Sequence, residues 1–409
     1  MRAWGPVLAI LAAALVAAGA SAGPACPYTG GAATVRVPGA PFAVVSTPDG
    51  CWLFVSLENR PGGGGGVSVL QNFEGHYTLI RTVRLPGGAD GLALTHDGSN
   101  LVIADGDSVV ILDVARLQSG QANPIVDRLN EGPDAGAFYP AVTPDDRLLF
   151  VSDEALARIS VWDLGRRGPA RAGRPVLLGR IPMGAAPVGM ALSADGQRLY
   201  AISQISPPEL GLGVRCEPGA LGDTGLLPEG MLTIIDVARA AAQPSRSILA
   251  MTGAGCSPVR VSLDPDGHRA WITARGEDAL VDIDLDQAEH LGLHARHGRR
   301  PVGPAPVGIA IRPDGGQIWI SDSDRFDTQK GFLEEVALPS GAHLRMAAGR
   351  VPRDLTFLPG GTVLVTAVTG SSALLFVDTT ALPSAAAPLV EGEPTERFKR
   401  AGEATEPAP

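Results

Sequence analysis

Charged and aromatic residues occupy positions of an internal repeat where its other copies carry small or aliphatic side chains. Arg260 and Arg353 replace a glycine and an aliphatic residue of the pattern. Tyr139 and Asp354 stand at neighbouring positions, and Arg275 follows an apolar segment of the repeat. Arginine holds anions through a planar fork of donors. We predict that these five residues bind a ligand. The alternative is a structural role, in which the arginines pair with aspartates and bind nothing else.

Two carboxylates, Glu58 and Asp153, are the candidate catalytic groups, because each follows a comparable apolar segment. A carboxylate that activates water beside an arginine that holds an oxyanion is the minimum for hydrolytic chemistry. The sequence holds no recognised catalytic motif outside its N-terminal apolar stretch, since it lacks C-x-x-C, H-E-x-x-H and a Walker A lysine. Whether the chain is an enzyme therefore stays open at this point.

The repeat itself is marked by seven tight turns of the Pro-Asp-Gly type. Their first residues are separated by 48, 48, 50, 71, 48 and 46 positions. A period of this size indicates supersecondary units that cannot bury their faces alone. The turns are Pro48-Asp49-Gly50, His96-Asp97-Gly98, Pro144-Asp145-Asp146, Ala194-Asp195-Gly196, Pro265-Asp266-Gly267, Pro313-Asp314-Gly315 and Pro359-Gly360-Gly361.

Short apolar, β-branched segments flank each turn and predict hairpins. A third strand, usually ending in Asp, and a weaker fourth strand complete each unit. Seven such units predict an all-β, seven-bladed β-propeller with four-stranded antiparallel blades. The last unit stops after its third strand, whereas 33–37 resembles the fourth strand of the first unit at 81–85. The N-terminal strand is therefore expected to close the last blade.

Three segments carry a family resemblance. Leu53–Ser56, Leu199–Ser203 and Trp271–Ala274, each after such a turn, resemble the YVTN-type β-propeller repeat family, over roughly 34–380. The family is similar to exported surface-layer propellers, propeller lactonases and dehydrogenase-associated propellers. The resemblance therefore implies a fold and leaves several functions open.

Two functional hypotheses follow. The first is an exported, non-catalytic propeller that binds a protein, polymer or small ligand at its channel mouth. The second is a lactonase-like hydrolase that opens a sugar or related lactone, with Glu58 or Asp153 as base and with Arg260 and Arg353 holding the oxyanion. Both use the face that carries the loops into each first strand and from second to third strands. We call this the mouth face, and its opposite, with the Asp-Gly turns, the turn face.

The mouth face collects a wider set of polar and aromatic residues than the candidates named above. Those entering first strands or following second strands are Phe42, Glu58, Asn59, Arg60, Asp90, Asp105, Asp107, Phe138, Tyr139, Asp153, Glu154, Arg260, Arg275, Glu277, Asp322, Asp324, Arg325, Arg353 and Asp354. The carboxylates of 322–327 lack the spacing of a recognised calcium loop. The repeat places the histidines of 290–297 in an outer strand, where His290 and His294 would face one way and His297 the other, so these too do not form a recognised metal site. No metal and no cofactor is predicted.

The chain begins with features of an export signal. Arg2 precedes an apolar stretch, and Ala20-Ser21-Ala22 matches a cleavage site. We therefore expect a periplasmic or extracellular protein without a transmembrane segment. The predicted divisions are a signal peptide at 1–22, a single propeller domain at 23–383 with an insertion at about 205–230, and a disordered acidic, Pro-rich tail at 384–409.

The net charge bears on the class of partner, and the cysteine content bears on the disulfide bonds. The formal net charge of −10, with only two lysines, argues against a nucleic-acid partner. Four cysteines in an exported chain indicate two disulfides. Cys26 and Cys51 are both expected on the turn face, and Cys216 and Cys256 on the mouth face. The predicted pairing is therefore Cys26–Cys51 and Cys216–Cys256.

Overall fold

Seven four-stranded antiparallel sheets form the seven-bladed β-propeller that the repeat predicts, which confirms the fold class. The computed structural model describes residues 26–59, 65–165, 173–212, 215–216 and 227–382. The predicted signal peptide, residues 213–214 and 217–226 of the predicted insertion, and the predicted tail lie outside these residues.

The strands follow the chain from the innermost to the outermost in the first six blades, and the last blade adds the N-terminal strand at its outer edge. The N-terminal strand is β1 (Ala33–Arg36); blade 1 contains β2 (Ala40–Ser46), β3 (Trp52–Glu58), β4 (Gly66–Phe73) and β5 (His76–Arg84), blade 2 contains β6 (Leu92–Leu94), β7 (Asn100–Asp105), β8 (Ser108–Asp113) and β9 (Ile125–Asn130), and blade 3 contains β10 (Ala137–Val142), β11 (Leu148–Asp153), β12 (Arg158–Asp163) and β13 (Val176–Pro182). Blade 4 contains β14 (Ala185–Leu192), β15 (Arg198–Ile205), β18 (Met231–Asp236) and β19 (Ile248–Gly253), and the short strands β16 (Arg215–Cys216) and β17 (Leu227–Pro228) lie between β15 and β18. Blade 5 contains β20 (Pro258–Leu263), β21 (Arg269–Ala274), β22 (Ala279–Asp284) and β23 (His297–Pro301), blade 6 contains β24 (Pro306–Ile311), β25 (Gln317–Asp322), β26 (Lys330–Ala337) and β27 (His343–Arg350), and blade 7 contains β28 (Pro352–Phe357), β29 (Val363–Val368) and β30 (Ala373–Asp378).

Hydrogen bonding explains the Asp that recurs in six of the seven turns. In the first turn, Asp49 accepts a hydrogen bond from the Cys51 amide at 2.9 Å and another from the Thr47 hydroxyl. The glycine that follows, Gly50, has a φ of 69°, a conformation that L-residues rarely adopt. Blade 3 carries Asp146 at this position with a φ of 57°, and its carboxylate instead accepts from the Asp97 amide of the previous blade at 2.8 Å.

A β-bulge near the start of the innermost strand is the second recurring device. In blade 3 the register shifts between Ala137 and Tyr139, and the Tyr139 amide donates to the Ser152 hydroxyl at 3.0 Å. The same hydroxyl donates to the Val188 carbonyl of blade 4 at 2.9 Å. Thr273 of blade 5 makes the equivalent pair of bonds, to its own blade and to Val307 of blade 6. Ser321 of blade 6 likewise donates to the Arg353 carbonyl of blade 7, so this hydroxyl links neighbouring blades at blades 3, 5 and 6.

In the part of the chain that the structure describes, short helices follow the third strands of blades 2, 4 and 5, where the repeat predicts no helix. They are α1 (Val114–Gln118), α2 (Val237–Ala242) and α3 (Leu285–Leu291). The Asp that ends the preceding strand caps each helix; Asp284, for example, accepts from the Gln287 amide at 2.9 Å. The expectation that His290 and His294 lie in an outer strand is therefore wrong, because they lie on α3 and the 3₁₀ turn after it.

The hydrophobic core consists of layers between neighbouring sheets rather than one central mass. Between blades 1 and 2, for instance, Phe54 belongs to the same buried cluster as Leu101 and Ile103, and all three side chains are fully buried. Each blade therefore covers the apolar face of the next. This arrangement leaves the channel at the axis free for polar groups.

The N-terminal strand closes the ring as predicted. β1 pairs antiparallel with β30, with Val35 opposite Leu374, and so completes the last blade. Tyr28 extends this junction by stacking on Phe376, with ring centroids 4.9 Å apart. Because the strand comes from the other end of the chain, its loss would expose the edge of blade 7.

Both disulfides join the cysteines that the blade geometry predicts, which confirms the pairing. The Cα atoms of Cys26 and Cys51 are 4.9 Å apart, and those of Cys216 and Cys256 are 5.5 Å apart. Two disulfides indicate folding in an oxidising, exported environment. None of the helices in the described part of the chain has the length and apolar character needed to cross a bilayer.

Deleting the residues through Val37 tests the closure. In a Cys26→Ala/Cys51→Ala background, we expect the deletion to lower the free energy of unfolding by at least about 2 kcal/mol, because the fully packed Val37 side chain and the β1 pairing are lost together. Urea unfolding measures the change. The double cysteine variant alone is the control for the disulfide, and an unchanged midpoint after deletion would contradict this mode of closure.

Candidate functional site

In six blades the bulge presents two consecutive residues of the innermost strand near the channel. In blade 2, whose pairing shows no bulge, Asp90 and Gly91 hold the same repeat positions directly before β6. The first residues form a set that we call the mouth ring, and the second residues form the deep ring. The mouth ring is Phe42, Asp90, Phe138, Val188, Val259, Val307 and Arg353, and the deep ring is Ala43, Gly91, Tyr139, Gly189, Arg260, Gly308 and Asp354. Blades 2, 4 and 6 require glycine in the deep ring, because a Cβ there would lie 2.2–2.7 Å from a carbonyl oxygen of the next blade.

Arg260 is the central side chain of the deep ring. Its guanidinium carbon lies 4.5 Å from the Tyr139 ring centroid and 5.6 Å from that of Phe42. Its Nε lies 3.9 Å from Oδ1 of Asp354 in blade 7. Only 5% of Arg260 and 8% of Asp354 is exposed. The contacts come from blades 1, 3 and 7, so one charge holds several blades together beneath the mouth.

Above the deep ring lies a cavity of about 180 Å³. Four guanidinium groups, two phenylalanine rings and a few polar or aliphatic groups surround it. The lining residues are Phe42, Phe138, Glu154, Val188, Gln204, Val259, Arg260, Arg275, Arg325 and Arg353. Loops into first strands and ends of second strands thus meet at one cavity, where the sequence analysis placed the candidate site.

Arg353 is held at this cavity by a carboxylate and by an aromatic ring. Its Nη2 donates to Oε1 of Glu58 at 3.1 Å, and its guanidinium carbon lies 5.0 Å from the Phe42 centroid. Burial lowers the pKa of Arg353 to about 10, although the charge of Glu58 opposes this effect. The structure therefore brings the candidates Glu58 and Arg353 together as an ion pair across blades 1 and 7.

Arg275 and Arg325 have a different environment. Arg275 donates to the side-chain oxygen of Gln204 at 2.9 Å, and both guanidinium groups lie near the ring of Phe326, at 5.5 and 4.6 Å from its centroid. Within the described ranges, neither arginine forms an ion pair with a carboxylate. Burial, followed by the charges of Arg325 and Arg353, lowers the pKa of Arg275 to about 10. An anion between these two groups would relieve their repulsion.

Asp90 is the carboxyl group of the mouth ring. Burial, together with the negative charges of Glu58 and Glu154, raises its pKa to about 7, against the opposing charge of Arg353. A carboxyl group that titrates near neutral pH beside arginines is a candidate proton acceptor. The sequence analysis placed Asp90 at the mouth but did not select it, because its pKa depends on neighbours contributed by other blades.

Asp153 does not join this cluster. Its carboxylate is fully buried and accepts from Nε of Arg158 at 2.8 Å and from the Gly136 amide at 2.9 Å. Asp105 of blade 2 makes the corresponding ion pair with Arg128 at 2.7 Å. The structure thus places Asp153 in an ion pair of the blade framework, whereas Glu58, the other candidate base, pairs with Arg353 of the cavity lining.

Sequence reasoning missed two members of the site, Gln204 and Phe326. Gln204 ends a second strand at the same repeat position as Glu58, Glu154 and Arg275, and this register is the signal that could have identified it. Phe326 follows Arg325 in a loop of blade 6 and is 49% exposed. No periodic pattern marks such a loop residue, because only its neighbours in space make it part of the mouth.

Asp322, the first carboxylate of 322–327, belongs to a cluster of charged groups in blade 6. Asp322 is fully buried beside Glu334 of the next strand, and burial followed by the Glu334 charge raises its pKa. Glu334 in turn accepts from Arg345 at 2.7 Å and contacts His343 Nδ1 at 2.5 Å. In the part of the chain that the structure describes, no group of acidic, His or Cys side chains is arranged to hold a metal ion.

Comparison with known proteins supports the fold at low sequence identity. No family model matches the chain, so membership of the YVTN-type family is not confirmed, and no curated protein matches its sequence. Hydrazine synthase of Kuenenia stuttgartiensis aligns at 17% identity and a TM-score of 0.62 over 85% of this chain and 97% of that one. The Cps50 (Swd1) β-propeller domain of Myceliophteria thermophila aligns at 12% identity and 0.59 over 84% and 97%.

A third similar structure is a putative 6-phosphogluconolactonase from Bacteroides fragilis. It aligns at 17% identity and a TM-score of 0.56 over 76% of this chain and 85% of that one. Three proteins with such different names share the architecture. The likeness therefore establishes the propeller fold and no particular activity.

Replacing Arg260 tests its structural role. Arg260→Met is expected to lower the free energy of unfolding by about 3 kcal/mol, because it leaves the buried Asp354 without its cation. Arg275→Gln, at the more accessible part of the cavity, is expected to change it by less than about 0.5 kcal/mol. Urea unfolding of both variants supplies the comparison. Equal, small effects would show that Arg260 is not needed for the ring.

Proposed function

We propose that this chain is an exported propeller that binds an anionic ligand at the mouth of its channel. The observation that supports the proposal is the pair Arg275 and Arg325, which face one cavity without a paired carboxylate in the described part of the chain. Their repulsion and partial burial are a cost that a bound anion would offset. The anion could belong to a small molecule or to an acidic group of a polymer or protein.

The proposal assigns different tasks to the arginines. Arg260 and Arg353 already have carboxylate partners and aromatic neighbours, so they shape the base and wall of the cavity. Arg275 and Arg325 are the groups that contact the ligand. This division differs from the expectation that Arg260 and Arg353 bind the anion, and it follows from where the existing carboxylates lie.

Calorimetric titration with phosphate, citrate, gluconate and benzoate tests the proposal. We expect at least one of these anions to bind, and the Arg275→Gln/Arg325→Gln variant to bind it at least about tenfold more weakly, since each charged hydrogen bond contributes on the order of 1.5 kcal/mol. Higher salt should weaken binding in the parent protein. Arg147→Gln/Arg239→Gln, which removes two exposed arginines elsewhere, is the matched control. No binding of any anion would overturn the proposal.

A lactonase-like hydrolase is the second candidate, and Asp90 is the observation that favours it. A carboxyl group with a pKa of about 7 beside Arg353 could take a proton from water, while an arginine holds the developing oxyanion. Glu58 would support Arg353 in this arrangement. The similar structure named as a putative 6-phosphogluconolactonase makes sugar lactones the substrates to examine.

Lactone hydrolysis separates the two candidates. If the protein only binds anions, aldonolactones and 6-phosphogluconolactone should hydrolyse at their spontaneous rates in its presence. A hydrolase should accelerate one of them, and Asp90→Asn should reduce the enzymatic rate at least about a hundredfold, the usual contribution of a general base. Acceleration that survives Asp90→Asn but is lost in Glu58→Gln would instead assign the base to Glu58.

A further inference from the structure

Two of the four arginines at the cavity are already neutralised. Arg353 is paired with Glu58 at 3.1 Å, and Arg260 is paired with Asp354 at 3.9 Å. Both carboxylates belong to strands, β3 and β28, so the pairs are fixed by the ring itself. Their net contribution to the charge of the cavity is zero.

The remaining described charges nearly cancel. Arg275 and Arg325 contribute two positive charges, and the exposed Glu154 contributes one negative charge that all four arginines attract. The net charge therefore depends on whether Asp90 is protonated. Asp90 is not one of the lining residues, but the amide of the adjacent Gly91 donates to the carbonyl of the lining residue Phe138 at 2.8 Å, which places Asp90 beside the cavity. The cavity and Asp90 together have one surplus positive charge when Asp90 is protonated and none when it is ionised.

Asp90 is placed to respond to a bound anion. The charged groups that act on it are Glu58 of β3, Glu154 after β11, Arg353 of β28 and Asp105 of β7, the last of which is itself bound by Arg128. Three of these four are negative. Another negative charge in the cavity would therefore raise the pKa of Asp90 further.

Phe326 offers an apolar surface beside the anion site. It is the large aromatic side chain of the mouth with the greatest exposure, and two guanidinium groups lie within 5.5 Å of its centroid. Those guanidinium groups are the ones proposed to contact the anion. A ligand with a carboxylate and a ring could therefore use the arginines and Phe326 together.

Building on the proposed function, we propose that the cavity binds a monovalent carboxylic acid anion with a ring or flat apolar group, and that Asp90 takes up a proton from solvent as the anion binds. The carboxylate lies between Arg275 and Arg325, and the ring lies against Phe326. The charges then balance: two arginines are matched by Glu154 and one carboxylate. A dianion would leave the cavity with an excess negative charge.

The pH dependence of benzoate binding tests the proton uptake. Benzoate is ionised throughout pH 6–8, so only the protein titrates. Because the pKa of Asp90 in the free protein is about 7, and the anion favours its protonated form, affinity is expected to fall by about tenfold between pH 6 and pH 8. Titration in two buffers of different ionisation enthalpy should show uptake approaching one proton per benzoate at pH 8.

Asp90→Asn is the decisive variant because it resembles the protonated acid in shape. It should bind benzoate equally well at pH 6 and pH 8, with the affinity that the parent protein has at pH 6. Asp163→Asn, which removes a carboxylate near the turn face, should keep the dependence of the parent. Melting temperatures at both pH values verify that each variant is folded. A dependence that persists in Asp90→Asn would assign the proton to another group and overturn the proposal.

Ligand valence and the ring contact are tested at pH 6. Benzoate should bind more tightly than phthalate or phosphate, and Phe326→Ala should weaken benzoate by about tenfold while leaving acetate unchanged. Tighter binding of the dianions, or an equal loss for acetate, would overturn this assignment while the anion-binding function stands. If none of these anions binds at either pH, the proposed function itself fails.

Discussion

The structure depends on a side-chain hydroxyl group that forms two hydrogen bonds, one within its own blade and one to the next blade. At the inner end of a second strand, Ser152 accepts from the bulged amide of its own blade and donates to the first strand of the next blade. Thr273 and Ser321 repeat the arrangement. These bonds are buried, and an unpaired polar group there would cost more than the bond itself contributes. In blades 3, 5 and 6 the bulge and the junction with the next blade are therefore maintained together.

This constraint determines where the functional side chains lie. A regular strand would turn consecutive residues to opposite faces, but in six of the seven blades the bulge brings two consecutive residues near the channel. Blade 5 thereby contributes Val259 and Arg260 to one site, and blade 7 contributes Arg353 and Asp354. Sequence neighbours consequently serve different tasks, with one at the mouth and the other beneath it.

Burial at the mouth disfavours the ionised forms of the side chains that lie there. Arg275 and Arg353 have lowered pKa values and Asp90 has a raised one, and burial is the first cause in all three cases. Groups held in this way change their ionisation readily when a ligand adds charge. The framework of inter-blade layers and ion pairs, such as Asp153–Arg158, supplies the stability that lets the mouth retain them.

Much of the architecture could be predicted because it repeats. The turns and the closing role of 33–37 followed from the repeat, and both disulfides followed from assigning each cysteine to one of two faces; all were confirmed. The capped helices were missed, since the Asp at the end of a third strand was interpreted only as a strand end. The strand pattern is supported by seven similar units, so an ambiguous segment in one unit does not change the prediction. A helix such as α3 is absent from most units and therefore leaves no mark on the common pattern.

The sequence by itself determined the fold, the closure and the end of the ring at which charged residues collect, because these depend on periodicity and chain direction. Only the tertiary structure decided which charges are already matched. Glu58 and Arg353 are 295 positions apart, yet they form an ion pair. The environment of Asp90 likewise comes from blades 1, 3 and 7 as well as its own. Electrostatic energies depend on the distance between charges and on their burial, and neither quantity can be read from the sequence.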